Sequence, residues 1–167
     1  MSHELTHCFI YCHNRNLNHQ VKWIEETICE AMSLYFLKYF KDNWNMIDLS
    51  KMMPEYDDLI DNYLNNFLKK EGNKRLSNYK SLKELEYINN TSEVRREDRY
   101  YEMIKLFTML TEENIKGIIY YKDYTYPNSY LLNTKKYMKD FPNNNAAKYL
   151  CQLQAGHNKE CCCSSIK

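Results

Sequence analysis

Trp23-Ile24-Glu25-Glu26-Thr27-Ile28-Cys29-Glu30-Ala31-Met32-Ser33-Leu34-Tyr35 is the stretch on which the fold turns. Trp23, Ile28, Met32 and Tyr35 fall near helical spacing, and neither Gly nor Pro interrupts the segment, so it reads as a helix. The apolar series continues through Phe40, which makes a helix from about Gln20 to Lys41 the central core element. Glu25, Glu26 and Glu30 break into that apolar pattern. A carboxylate near a core is costly unless something compensates its charge, and a bound cation is one way to do so.

The residues able to share such a cation stand at the start of the chain. His3-Glu4-Leu5-Thr6-His7 is an H-E-x-x-H pentapeptide, separated from Glu26 by residues 8 to 25. Positions i and i+4 of a helix share a face, so His3 and His7 can offer two imidazole nitrogens to one zinc ion with Glu4 beside the open coordination position.

With a Trp three residues before a candidate ligand Glu, as Trp23 precedes Glu26, the chain resembles the gluzincin zinc metallopeptidases over about residues 2 to 37. The resemblance implies a His3-His7-Glu26 zinc site with Glu4 as general base, peptide-bond hydrolysis as the activity and a peptide or protein as the substrate. It also implies an outer-shell carboxylate for the histidines. Glu25 and Glu30 are the candidates, Glu30 being preferred because it lies one turn beyond Glu26. A donor to the oxyanion of the tetrahedral intermediate would come from a later Tyr or from His157. The chain departs from the family pattern at Thr27, where relatives commonly carry Gly. It also begins two residues before the motif, without the β-sheet that usually precedes the active-site helix, so a truncated form is one reading.

A competing zincin arrangement would use His13, ten residues after His3, as third ligand. It needs Gly at position 10 to stop the helix sharply, and Ile10, being β-branched, resists a positive φ. Glu26 is therefore preferred.

The expected fold is mainly α: a single helical zincin-like domain over residues 1–155, followed by a Cys-rich tail over 156–167. Further helices are expected from Pro54 to before Gly72, from a capping box at Ser81 through Ile88, from Thr91 or Ser92 through Met109, and from Thr111. Two more are expected over about Ser129–Lys139 and Asn144–Gln154. Tyr100, Tyr101, Ile104, Phe107 and Met109 are expected to face inward.

Twenty-three basic and 22 acidic residues are interspersed, giving a formal charge of +1 and no electrostatic case for nucleic acid. No apolar run approaches the length of a bilayer span, and the N-terminus does not read as a signal peptide. With seven cysteines and no secretory signal, the expectation is a cytoplasmic protein without a disulfide framework. Cys8 and Cys12 are expected to be small core residues. Cys161, Cys162 and Cys163 suit a frayed terminus, an acylated tail or a metal-binding end. Alternatives to the metallopeptidase are therefore a non-catalytic helical interaction protein descended from a zincin and a peripheral membrane protein acylated at those cysteines.

Overall fold

A computed structural model describes residues 2–14, 21–70, 76, 81–127 and 129–154. The central helix forms as expected: α2 spans Lys22–Asp42 and buries Trp23, Ile24, Ile28, Cys29, Ala31, Met32 and Leu34. Around it stand α1 (Ser2–His13), α3 (Tyr56–Leu68), α4 (Leu82–Thr91) and α5 (Tyr100–Phe107). The chain continues through α6 (Glu112–Ile119), α7 (Thr134–Asp140) and α8 (Asn145–Gln152). The fold is mainly helical, and the described residues contain no strand, only an isolated antiparallel bridge between Thr125 and Leu132.

α2 is central because its apolar residues extend around more than one face, so α1, α3, α4 and α5 all pack against it. One apolar cluster joins Ile10, Trp23, Ile28 and Met32 to Leu106, Ile118, Tyr121, Tyr137 and Leu150. A smaller one joins Leu34 to Ile60, Leu64, Phe67 and Met103, so α3 provides three of its five residues. α1 and α2 run antiparallel, since His7 lies beside Glu25 while His3 reaches Glu30. Asn14 ties the end of α1 into the core, its Nδ2 donating to the carbonyls of Ile10 at 2.6 Å and Ile119 at 2.7 Å.

The local signals for α4, α6 and α8 match their starts. Ser81 and Glu84 form a reciprocal capping box, and the side chains of Thr111 and Asn144 accept from the backbone N–H groups of Asn114 and Ala147. The helix expected from residue 91 or 92 begins later. Residues 92–94 form a turn after α4, Arg96–Arg99 wind as a 3-10 turn, and α5 starts only at Tyr100. Glu102, Met103 and Leu106 are its buried residues; of those expected inward, Tyr100, Ile104 and Phe107 are partly buried against the smaller cluster, whereas Tyr101 is exposed. α7 also starts later than expected, at Thr134, because the bridge at Leu132 holds the preceding segment extended and Asn133 supplies the cap.

Cys8 and Cys12 are exposed, contrary to the expectation that they fill the core. α1 turns Thr6 and Ile10 inward, and at 100° per residue Cys8 and Cys12 fall on a different face. Among the described residues no helix is long and apolar enough to cross a membrane. The Cys-rich tail and His157 lie outside the described residues.

Candidate metal centre

The antiparallel pairing of α1 and α2 brings His3, His7 and Glu26 together. The two Nε2 atoms are 3.1 Å apart; Glu26 places Oε2 at 3.4 Å from His3 Nε2 and Oε1 at 3.4 Å from His7 Nε2. A tetrahedral zinc ion with N and O ligands at about 2.0–2.2 Å requires its ligand atoms to lie about 3.3–3.6 Å from one another. The nitrogen pair at 3.1 Å is slightly closer than that and Glu26 turns one oxygen to each nitrogen, so that one ligand atom from each residue lies within 4.8 Å of the other two. The side chains of His3, His7 and Glu26 are 25%, 26% and 14% exposed, which leaves the cluster open to solvent on one side. Glu4 is exposed, on the adjoining flank of α1.

The two outer carboxylates face one imidazole each, Glu25 alone at hydrogen-bond distance. Glu25 Oε1 lies 2.8 Å from His7 Nδ1, and Glu30 Oε1 lies 3.6 Å from His3 Nδ1. Glu25 is therefore the closer partner, where the sequence favoured Glu30. Each is anchored by distant residues: Glu25 Oε2 accepts from the Tyr121 hydroxyl at 2.8 Å and pairs with Lys122 Nζ at 2.6 Å, and Glu30 Oε2 pairs with Arg96.

These contacts set the protonation of the His7 arm. Burial alone would raise the Glu25 pKa, but hydrogen bonds from His7, Lys122 and Tyr121 and the Lys122 charge outweigh it and hold the carboxyl down at about 2. The His7 pKa is raised, first by its hydrogen bond to Glu25, with burial opposing and Glu26 and Glu4 adding to the rise. The hydroxyl of fully buried Tyr121 is pushed well above its usual range by burial and by Glu25, so it remains a hydrogen-bond donor. Arg99, 1% exposed, stands in the field of Glu26 and Glu30. Lys122, Arg96 and Arg99 thus compensate the carboxylates of α2, and charge balance by itself does not call for a bound cation. What makes His3, His7 and Glu26 candidate ligands is the convergence of their donor atoms.

His13 is not part of the cluster. α1 continues unbroken through Ile10, which carries His13 about 15 Å along the axis from His3. Its Nδ1–H donates to the Phe9 carbonyl at 2.8 Å, and its ring meets Tyr120 edge-on.

Tyr121, Lys122, Arg96 and Arg99 are the site residues that motif spacing missed. None of them stands at a motif spacing from His3, His7 or Glu26, and Lys122 only follows the run Ile118-Ile119-Tyr120-Tyr121 and precedes Asp123. No known protein family, curated protein or solved structure matches this chain. The likeness to gluzincins therefore rests on residues 3 to 7, 23 and 26 themselves.

Proposed function

We propose that this chain is a zinc-dependent hydrolase of the gluzincin kind, with His3, His7 and Glu26 as metal ligands and peptide bonds as its target. The observation that carries the reading is the convergence of the three side chains: the two Nε2 atoms stand 3.1 Å apart, and each has a different Glu26 carboxylate oxygen 3.4 Å away. The target is taken from the resemblance in the H-E-x-x-H and W-x-x-E residues. Two neutral imidazoles and one carboxylate are a donor set suited to catalytic zinc. Zinc bound there would supply Lewis acidity, polarising a carbonyl and making a water molecule more acidic.

The chain's own residues divide the remaining work. Glu4, the exposed neighbour of His3 in the chain, would accept the proton of the attacking water and pass it to the leaving amine. Glu25 orients the His7 imidazole from behind, and Glu30 stands in the corresponding place 3.6 Å from His3.

The test is zinc content together with hydrolysis of a mixed peptide library. About one zinc per chain is expected in the parent, and far less in the His3→Ala, His7→Ala double variant. Glu4→Gln keeps the zinc and loses at least about 10²-fold in rate, because Gln cannot accept the proton. Equal rates for the parent and Glu4→Gln would refute the assigned base.

A second reading, a helical interaction protein, draws on the exposure of Met46 (84%), Met52 (79%), Leu59 (61%) and Leu49 (46%) across one stretch of chain. Absence of zinc in both metal-loaded and native preparations would favour it.

A further inference from the structure

One carboxylate in this fold is held by three donors from two distant parts of the chain. Glu25 Oε2 takes both the Tyr121 hydroxyl at 2.8 Å and the Lys122 ammonium at 2.6 Å, and Oε1 is left to face His7 Nδ1 at 2.8 Å. Tyr121 is fully buried and Lys122 is 7% exposed, so neither donor can turn to water instead. The backbone behind them is fixed as well: residues 121–124 form a 3-10 turn, and Thr125 Oγ1 donates to the Lys122 carbonyl at 2.7 Å.

We propose that Tyr121 and Lys122 are positioning residues: acting through Glu25, they lock His7 in its Nδ1–H tautomer and so present its Nε2 lone pair to a transition-metal ion. With Oε2 saturated, the plane of the carboxylate is fixed and Oε1 is aimed at His7, where only a donor fits. In neutral imidazole the proton resides on one nitrogen alone, so a hydrogen on Nδ1 makes Nε2 an acceptor. That nitrogen is the one 3.1 Å from His3 Nε2 and 3.4 Å from Glu26 Oε1. With His7 Nε2 as an acceptor, His3 donates through Nε2–H in the metal-free chain, and to serve as a neutral ligand at Nε2 it would carry its proton instead on Nδ1, the nitrogen that faces Glu30.

The His3 arm has the same plan in a looser form. Glu30 stands 3.6 Å from His3 Nδ1, and its anchor Arg96 is 43% exposed, so His7 is the pre-set ligand and His3 the adjustable one. Nothing within the first 40 residues encodes this. It depends on a segment 96 positions beyond Glu25.

The consequence for metal affinity rests on the proposed zinc site, whereas the tautomer can be read without any metal. The experiment uses the full chain with ¹⁵N-labelled histidine in mildly alkaline, metal-free solution, with long-range ¹H–¹⁵N correlation reporting the His7 ring and a chromophoric chelator competing for zinc. The expected parent spectrum has pyrrole-type Nδ1 and pyridine-type Nε2. Tyr121→Phe and Lys122→Met should each move the ring toward the Nε2–H form and weaken zinc binding by about 10- to 100-fold. Arg96→Met should leave the His7 tautomer unchanged.

An Nε2–H tautomer in the parent would overturn the proposal and needs no variant to observe. So would a Tyr121→Phe chain with native circular dichroism, an unchanged tautomer and unchanged zinc affinity. The expected tautomers in a chain that binds no zinc would refute the metal centre while sustaining the positioning role.

Discussion

Zinc should raise the melting temperature of this protein, and Glu26→Ala should abolish the rise. His3 and His7 belong to α1 and Glu26 to α2, so an ion held by all three cross-links two helices that the unfolded chain separates. Binding to the native state alone stabilises it by about 2.7 kcal/mol at a free zinc concentration one hundred times Kd. For a domain of 167 residues each kcal/mol corresponds to about 2–4 °C, so the expected shift is about 5–11 °C. In the proposed centre Glu26 supplies the anionic ligand, and an alanine there would leave two imidazoles that cannot hold zinc at the same concentration. His13→Ala should reproduce the parent shift, because its imidazole is turned to the Phe9 carbonyl and lies along α1 away from the cluster. The assay is differential scanning calorimetry of the metal-free chain, with and without buffered zinc. No shift in the parent, or an equal shift in parent and Glu26→Ala, would refute the three-residue centre. Loss of the shift in His13→Ala would move the third ligand to His13.

Two further outcomes follow from the same contacts. The metal-free chain should be most stable between about pH 4.5 and 6.5. The lowered pKa of Glu25 gives stability that is present above its usual 4.5 and lost as pH falls toward about 2, and the raised pKa of His7 gives stability that is present below its usual 6.5 and lost as pH rises through the folded value. Urea titrations across pH check this, and Glu25→Gln should flatten both limbs. Gly117→Ala should cost about 2–4 kcal/mol, because the added Cβ meets the Asn144 side-chain amide, which both donates to the Asn114 carbonyl and caps α8 at Ala147. A cost under about 0.5 kcal/mol would show that Asn144 is free to move aside.

The parts of the fold legible in the sequence are those encoded by neighbours in the chain. Ser81 and Glu84 are three residues apart, Asn144 and Ala147 likewise, and the apolar run of α2 repeats within each turn, so the physics that forms these elements acts within a few residues. The late starts of α5 and α7 were not legible for the converse reason. Residues 92–99 carry no Gly or Pro to announce a break, and Leu132 is kept extended by Thr125, a residue on the other side of a loop. Cys8 and Cys12 were misplaced because cysteine is read as a small buried residue by default, whereas the face of α1 is decided by Thr6 and Ile10.

The candidate site divides along the same line. His3 and His7 could be paired from their i, i+4 spacing, and Glu26 from its place after Trp23. The preference for Glu30 over Glu25 followed from helix geometry alone, in which Glu30 shares a face with Glu26 and Glu25 does not. The reversal comes from outside the helix: Tyr121 and Lys122 arrive from beyond α6 and hold the Glu25 carboxylate against His7, whereas Glu30 is drawn toward Arg96 and stands 3.6 Å from His3. Helix spacing therefore determines which groups are able to meet. Which of them meets at hydrogen-bond distance is determined here by a buried ammonium and a buried hydroxyl, whose need for an acceptor cannot be met by solvent.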